Sequence, residues 1–172
     1  IVDRYPEEIG YPDGVWPGMM PIQLTILRAQ PSDIPQIVGI EMVAFVDPWD
    51  EVTLRETLNC FPETFFVAKN NGDLVGFIVG GLEETGEEVY GHIMNFAVAP
   101  RCRRRGVGRH LLRRLEQEYA ILGANGVQLE VRVSNTVAQE FYRRLGYREV
   151  FQVASYYSNG EDAIVMMKWF RF

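Results

Sequence analysis

Apolar and polar residues follow two periods along this chain, and the switches between them divide it into elements. Residues 22–27 alternate weakly, which predicts a first strand. Pro31, Ser32 and Asp33 then open a segment in which Ile34, Ile37, Val38, Glu41, Met42 and Phe45 recur every three or four positions, the period of one helix face. Residues 45–49 make a proline-containing connection, and residues 51–58 restart a short helix. Two apolar, β-prone runs at 65–68 and 74–79 flank Asn70, Asn71, Gly72 and Asp73, which predicts a hairpin. A further strand over 89–98 stops at Pro100, where the missing N–H ends a ladder. From Gly106, the residues Val107, Leu111, Leu112, Leu115, Tyr119 and Leu122 mark one face of a long amphipathic helix that Gly123 terminates. Residues 127–133 alternate as a strand, 136–145 form a short helix ending at Gly146, and 147–157 with 163–169 close as a second hairpin. Strands alternating with helices, with antiparallel hairpins at both ends, predict a mixed α/β (α+β) sheet and not a doubly wound parallel one.

A chain of 172 residues, 47% of them hydrophobic and 23% charged, suits one folded domain with its own core. Proline and glycine interrupt any period before residue 20, at Tyr5-Pro6, Tyr11-Pro12, Asp13-Gly14 and Trp16-Pro17-Gly18. Residues 1–21 therefore read as an irregular extension ahead of a domain over 22–172, with Met19 or Met20 as a natural start. No window approaches the roughly 18 apolar residues that cross a bilayer, and the acidic, proline-broken start is unlike a secretory signal. A soluble, cytoplasmic protein is expected. Cys60 and Cys102 lack metal-ligand spacing, and with only His92 and His110 beside them no metal site is expected.

The net charge of -6 argues against a general nucleic-acid binder but conceals an asymmetry. Arg101, Arg103, Arg104, Arg105, Arg109, Arg113 and Arg114 crowd one stretch, while Glu83, Glu84, Glu87 and Glu88 precede it and Asp47, Asp50 and Glu51 form another acidic group. Arg103, Arg104, Arg105, Gly106, Val107, Gly108 and Arg109 stand where a strand gives way to a helix. The amides of a first helical turn lack intrahelical partners and sit at the positive end of the macrodipole, so such a place binds phosphate. A Cβ at Gly106 or Gly108 would hold a pyrophosphate off the backbone, and arginines add charge-assisted hydrogen bonds. There is no Gly-Lys-Ser/Thr for a P-loop and no third glycine in dinucleotide-fold spacing, so the ligand is some other phosphate. A solvated basic helix, or a nucleic-acid module using the arginines, is the plainer alternative; it calls for strongly salt-dependent binding.

The Arg-x-x-Gly-x-Gly turn after a strand resembles the pyrophosphate loop of the Gcn5-related N-acetyltransferase superfamily. Downstream, residues 129–135 (Leu-Glu-Val-Arg-Val-Ser-Asn), Ala138, residues 141–147 (Phe-Tyr-Arg-Arg-Leu-Gly-Tyr), Tyr156-Tyr157 and residues 160–166 (Gly-Glu-Asp-Ala-Ile-Val-Met) are similar to RimI-type ribosomal-protein and archaeal protein N-terminal acetyltransferases. The resemblance spans about 22–168, with its specific motifs in 92–166. It implies a fold whose mostly antiparallel sheet splits at the acetyl-CoA site, with helices on its flanks. It further implies that Phe96, Ala97 and Val98 meet the thioester, that residues 103–109 take the pyrophosphate, and that Asn135 and Ala138 lie beside the pantetheine.

By the same resemblance Glu130 stands at the general base and Tyr142 at the general acid, next to the departing sulfur. Burial of Glu130 on an apolar strand would raise its pKa toward the working pH; an exposed or salt-bridged glutamate is the alternative. Without the resemblance, Tyr142 beside Phe141 would read as core packing. His92 matches a position where relatives carry tyrosine or histidine and could relay the amine proton through water, or it could be a satisfied strand histidine. Strand alternation predicts that His92 and Asn95 point to opposite faces.

The acceptor follows from acid–base cost. An α-amine with a pKa of about 7.7 to 8 is roughly a tenth neutral at pH 7, while lysine at about 10.4 is neutral about once in several thousand. The resemblance puts the acceptor, a protein or peptide N-terminus such as that of a ribosomal protein, between the 45–49 connection and the paired tyrosines. Phe45, Asp47, Trp49, Tyr156 and Tyr157 would line it. Many archaeal and eukaryotic members carry a Leu-Pro-Glu type segment where this chain has Phe-Val-Asp-Pro-Trp. Acetylation of lysine or of a small-molecule amine is the competing enzyme reading.

Overall fold

The computed structural model describes residues 23–171. The expected extension over 1–21 lies outside the described residues, as does Ile22 of the first predicted strand. Among the described residues seven strands form one sheet in the order β1-β2-β3-β4-β5-β7-β6. They are β1 (Leu24–Arg28), β2 (Phe65–Asn70), β3 (Asp73–Thr85), β4 (Glu88–Val98), β5 (Gly126–Arg132), β6 (Arg148–Val153) and β7 (Ala163–Trp169). Four α-helices cover the sheet: α1 (Ile34–Ala44), α2 (Glu51–Cys60), α3 (Val107–Ile121) and α4 (Thr136–Arg144). Every adjacent pair is antiparallel except β4 and β5, so the expected mixed, mostly antiparallel sheet is present.

Each face of the sheet carries its own core. Leu111, Leu112, Leu115 and Tyr119 of α3 and Phe141 and Tyr142 of α4 pack on Ile78, Ile93, Phe96, Leu129 and Val131. On the other face Ile34, Ile37, Ile40 and Ala44 of α1 and Leu54 and Leu58 of α2 pack on Val67, Phe77, Val79 and Ala97. The helical stripes read from the sequence for α1 and α3 match these contact surfaces except at Met42 and Leu122, which are exposed. Asp50 caps α2 by accepting the Thr53 N–H at 2.8 Å, which fixes where the second helix restarts after the 45–49 connection.

Three details depart from the sequence pattern. Strand β3 runs on to Thr85, well past the predicted end at Val79, and forms a long hairpin with β4 that turns at Gly86. The last hairpin is shorter than predicted: β6 ends at Val153 because Ser155 turns left-handed, with its N–H held by Asp162. Tyr156 and Tyr157 therefore sit on a loop. A bulge interrupts β4, since Val79 pairs Asn95 and Gly80 pairs Ile93, leaving Met94 as the extra residue.

The bulge overturns the expected orientation of His92 and Asn95. Cross-strand partners share a face, so Asn95 opposite Val79 and His92 opposite Gly81 point to the same side, that of α1 and α2. Two glycines beside the bulge admit Tyr119 from the opposite face. A Cβ on Gly91 would fall 2.3 Å from the Tyr119 ring and one on Gly80 would fall 2.0 Å from its hydroxyl. That hydroxyl donates to the His92 carbonyl at 3.0 Å, pinning the strand where it matters.

Candidate active site

The parallel ladder between β4 and β5 covers only Tyr90, Gly91 and His92 against Gly126, Val127 and Gln128. Beyond it the strands part, and Phe96, Ala97 and Val98 continue on β4 while Glu130 and Arg132 continue on β5. Phe96, Ala97 and Val98 are buried, their side chains divided between the two cores.

The arginine turn lies at the wide end of this opening. Gly106 is left-handed, with φ of 80°, and precedes the first residue of α3 without any side-chain cap. The backbone N–H groups of Val107, Gly108 and Arg109 thus open the helix with no carbonyl one turn back to accept them. Val107 and Gly108 are buried, while Arg104, itself left-handed at φ 62°, and Arg109 are exposed. Arg103 and Arg105 are half-buried, and Nε of Arg103 donates to the Val98 carbonyl at 3.0 Å. One arginine of the cluster therefore ties the loop to the end of β4.

At the end of the ladder, the α1/α2 face of the sheet carries a chain of ionisable groups. His92 Nε2 lies 2.7 Å from Glu130 Oε2 and its Nδ1 lies 2.7 Å from Glu83 Oε1. With a carboxylate at each nitrogen both nitrogens donate, which is the imidazolium form. Burial alone would lower its pKa, but the hydrogen bond and charge of Glu130 and the charge of Glu83 outweigh burial and raise it above its ordinary value. The Glu130 side chain is 14% exposed and that of Glu83 is 46% exposed, so the chain runs from inside the fold to its rim. Gln128 of β5 donates to Glu83 of β3 across β4. Glu83 received no role from the sequence beyond membership of an acidic run, because nothing in its spacing shows that the β3–β4 arm reaches His92.

Tyr142 lies on the opposite face. It is fully buried, with ring centroids 5.3 Å from Phe141 and 5.5 Å from Tyr147. Its hydroxyl has no hydrogen-bond partner among the described residues, and burial holds its pKa well above the usual phenol value. Asn135 caps α4 by accepting the Ala138 N–H at 3.1 Å, and Ala138 is buried in the α3/α4 core, so both shape the end of β5.

Two loops border the face that carries His92. The 45–49 connection contributes half-buried Phe45 and Trp49 and exposed Asp47. Ser158 of the β6–β7 loop donates to Asp47 Oδ2 at 3.1 Å, so the two loops meet. Tyr156 is 41% exposed on the second loop and feels the charges of Glu130 and Glu83, which join burial in raising its pKa. Tyr157 is buried under the Arg132 guanidinium, 3.8 Å above its ring. Arg132 also pairs with Glu161 at 2.9 Å and bonds Asn159 at 3.0 Å, and Glu161 takes the Ser134 N–H at 2.9 Å. Hydrogen bonds from Ser134 and Arg132 hold the Glu161 carboxyl down at about 2. This brace was not singled out from sequence, although the Gly-Glu-Asp motif contains its carboxylate.

Among the described residues no cluster of three or more His, Cys, Asp or Glu side chains is arranged for a metal ion, and no helix is long and apolar enough to cross a membrane.

Known proteins resemble this chain in sequence and fold. The model of the Acetyltransferase (GNAT) family matches residues 34–147, a stretch that contains His92, the arginine turn, Glu130 and Tyr142. An uncharacterized N-acetyltransferase of Methanocaldococcus jannaschii is 38% identical over 146 residues, covering 84% of this chain and 91% of that one. An N-alpha-acetyltransferase of Sulfurisphaera tokodaii is 33% identical over 150 residues, covering 82% of this chain and 90% of its own length. The crystal structure of the ribosomal-protein-S18-alanine N-acetyltransferase of Escherichia coli superposes with a TM-score of 0.74 at 31% identity, over 87% of this chain and 96% of that one. With a split mixed sheet, a glycine-opened helix at the split and a family match across two thirds of its length, this chain belongs to the GNAT acetyltransferase family and is an acetyl-transferring enzyme.

Proposed function

We propose that the enzyme transfers acetyl from acetyl-CoA to the α-amine at the N-terminus of a protein or peptide. The observation that carries this is the Glu130–His92–Glu83 chain, which starts beside the parting of β4 and β5 and ends at the rim under two loops. The names of the similar archaeal and bacterial enzymes support an N-terminal acceptor.

The residues present fit acetyl-CoA. A left-handed glycine opens α3 at the wide end of the split, which suits a diphosphate on the amides of residues 107–109 with Arg104, Arg105 and Arg109 around it. A buried, unbonded tyrosine hydroxyl on α4 suits a sulfur that needs a proton. Bound there, acetyl-CoA supplies an acetyl group on an activated thioester carbon.

The chain's own groups handle the protons. Glu130 Oε accepts the proton of the incoming ammonium and returns it to solvent between turnovers, while the two N–H groups of His92 hold Glu130 and Glu83 in line toward the rim. Tyr142 Oη keeps its proton because burial disfavours phenolate, and so holds it ready as a general acid. Phe96, Ala97 and Val98 present backbone groups at the strand edge that β5 leaves uncovered, and Asn135 and Ala138 fix the opposite side. Phe45, Asp47, Trp49, Tyr156 and Tyr157 frame the acceptor, with Asp47, Glu83 and Glu130 favouring a cation.

A peptide acetylation assay read by mass spectrometry tests this. Ala-, Ser- or Met-starting peptides should gain one acetyl on the α-amine, at a kcat/KM at least about tenfold above that for α-blocked lysine peptides or free polyamines. Faster transfer to lysine or to a polyamine would overturn the N-terminal assignment.

A further inference from the structure

Glu41 is a carboxylate inside an apolar stripe. It shares the inner face of α1 with Ile34, Ile37, Ile40 and Ala44, and it is 0% exposed. Packing alone would be served better by leucine, since a buried carboxylate must recover its lost hydration from donors. Glu41 has such donors, and they fall in a particular place. Its backbone carbonyl accepts the Phe45 N–H at 3.0 Å and its Oε2 accepts the Trp49 N–H, also at 3.0 Å. One residue thus holds both ends of the five-residue acceptor loop. Its Oε1 accepts from Nδ2 of Asn95, the buried residue that follows the β4 bulge on the same face as His92.

We infer that Glu41 is a positioning residue for the acceptor, fastening the 45–49 loop to Asn95 on β4 so that loop and catalytic strand keep one spacing. The inference rests on the acceptor assignment made above. Glu41 itself touches no reacting atom in this scheme. It acts through the loop, whose Asp47 in turn meets Ser158 across the mouth. If the link is lost, the loop keeps its Phe45 anchor and the Asp50 cap of α2 but loses its register against the strand. The consequence belongs to acceptor binding, because the α3 mouth and Tyr142 lie on the other side of the sheet.

Asn95 makes the link testable by exchange. Its Oδ1 is buried without a hydrogen-bond partner among the described residues. In a Glu41→Gln variant the new amide keeps its oxygen on the Trp49 N–H, and a half-turn of the Asn95 amide offers that Oδ1 to the new NH2. The conservative variant therefore preserves the link, whereas Glu41→Leu and Asn95→Ala each cut it.

The experiment is steady-state kinetics with an Ala-starting peptide on the full chain, run with calorimetric titration of CoA. Losing the link should raise peptide KM about 5- to 100-fold in Glu41→Leu and Asn95→Ala, with kcat within about threefold and CoA affinity unchanged. Glu41→Gln should stay within about threefold of wild type in all three quantities. Peptide KM within twofold of wild type in both cutting variants, or a fall in CoA affinity matching the rise in KM, would overturn the inference. Should Glu41→Leu not fold, Asn95→Ala and Glu41→Gln decide it on the same criteria. A wild-type enzyme that leaves peptide α-amines untouched sinks the acceptor assignment and this inference with it; an active wild type with indifferent variants sinks the inference alone.

Discussion

Replacing Tyr142 by phenylalanine should make the protein more stable and much less active. The substitution removes one hydroxyl and keeps the ring, so the contacts with Phe141 and Tyr147 remain and no side-chain-sized cavity opens. The lost hydroxyl has no hydrogen-bond partner among the described residues of the free enzyme. Leaving a buried polar group unsatisfied costs about 1 to 3 kcal/mol. Tyr142→Phe should relieve that cost and raise Tm by roughly 2 to 12 °C, at 2 to 4 °C per kcal/mol for a domain of this size. A general acid contributes about 10²- to 10⁴-fold to rate, or about 2.7 to 5.4 kcal/mol of barrier at 1.36 kcal/mol per decade. Stopped or steady-state acetylation of an Ala-starting peptide should therefore show kcat down by that factor, with CoA affinity by calorimetry unchanged. The opposite signs are what separate the two roles, since a tyrosine that only packs predicts no loss of rate. A variant that melts below wild type and turns over within twofold of it would refute the reasoning for Tyr142.

Other expectations follow from the same geometry. His92 titrates above its ordinary pKa, so its ion pairs contribute stability that is fully present below about 6.5 and lost as pH rises through the folded value. Urea titrations of His92→Gln and wild type should thus differ at pH 6 and converge by pH 9; a gap that widens with pH would contradict the assignment. Gly91→Ala drives a Cβ to 2.3 Å from the Tyr119 ring and should cost about 1 to 3 kcal/mol, seen as a lower Tm in thermal denaturation. An unchanged Tm would mean that Tyr119 moves aside freely. Arg132→Ala removes the brace on Tyr157, Asn159 and Glu161 and should raise peptide KM several-fold without altering CoA affinity. Lysine at that position should not rescue it, because an ammonium offers no planar fork to stack and bond at once.

Much of the fold was legible because its helices obey a clean period. The α3 face from Val107 to Tyr119 and the start of α4 at Thr136 stand in the structure as the sequence pattern predicts. The turn that opens α3 was legible as a strand–helix junction, and Gly106 stands there left-handed just before Val107. What escaped was set by contacts distant in sequence. Glu41 belonged to the α1 stripe, but its donors lie at Trp49 and Asn95, so nothing local marks it as more than a polar interruption. The bulge at Met94 turns on one residue of register between β3 and β4, which alternation cannot show, and that single residue reversed the relation of His92 to Asn95. The reach of β3 to Thr85 was hidden by Glu83 and Glu84, charged residues that end an apolar run and yet continue a strand. Tyr156 and Tyr157 look β-prone in isolation, but Ser155 and Asp162 turn the chain before them. The bond from Arg103 Nε to the Val98 carbonyl was hidden as well, because counting charges takes no account of a backbone acceptor.

A crystal structure of the enzyme with CoA would test the account most directly. The diphosphate should lie within about 3.2 Å of the N–H groups of residues 107–109 and the sulfur within hydrogen-bonding reach of Tyr142 Oη, between the diverging ends of β4 and β5. A CoA seated elsewhere, or one whose sulfur lies on the far side of β4 from Tyr142, would contradict it.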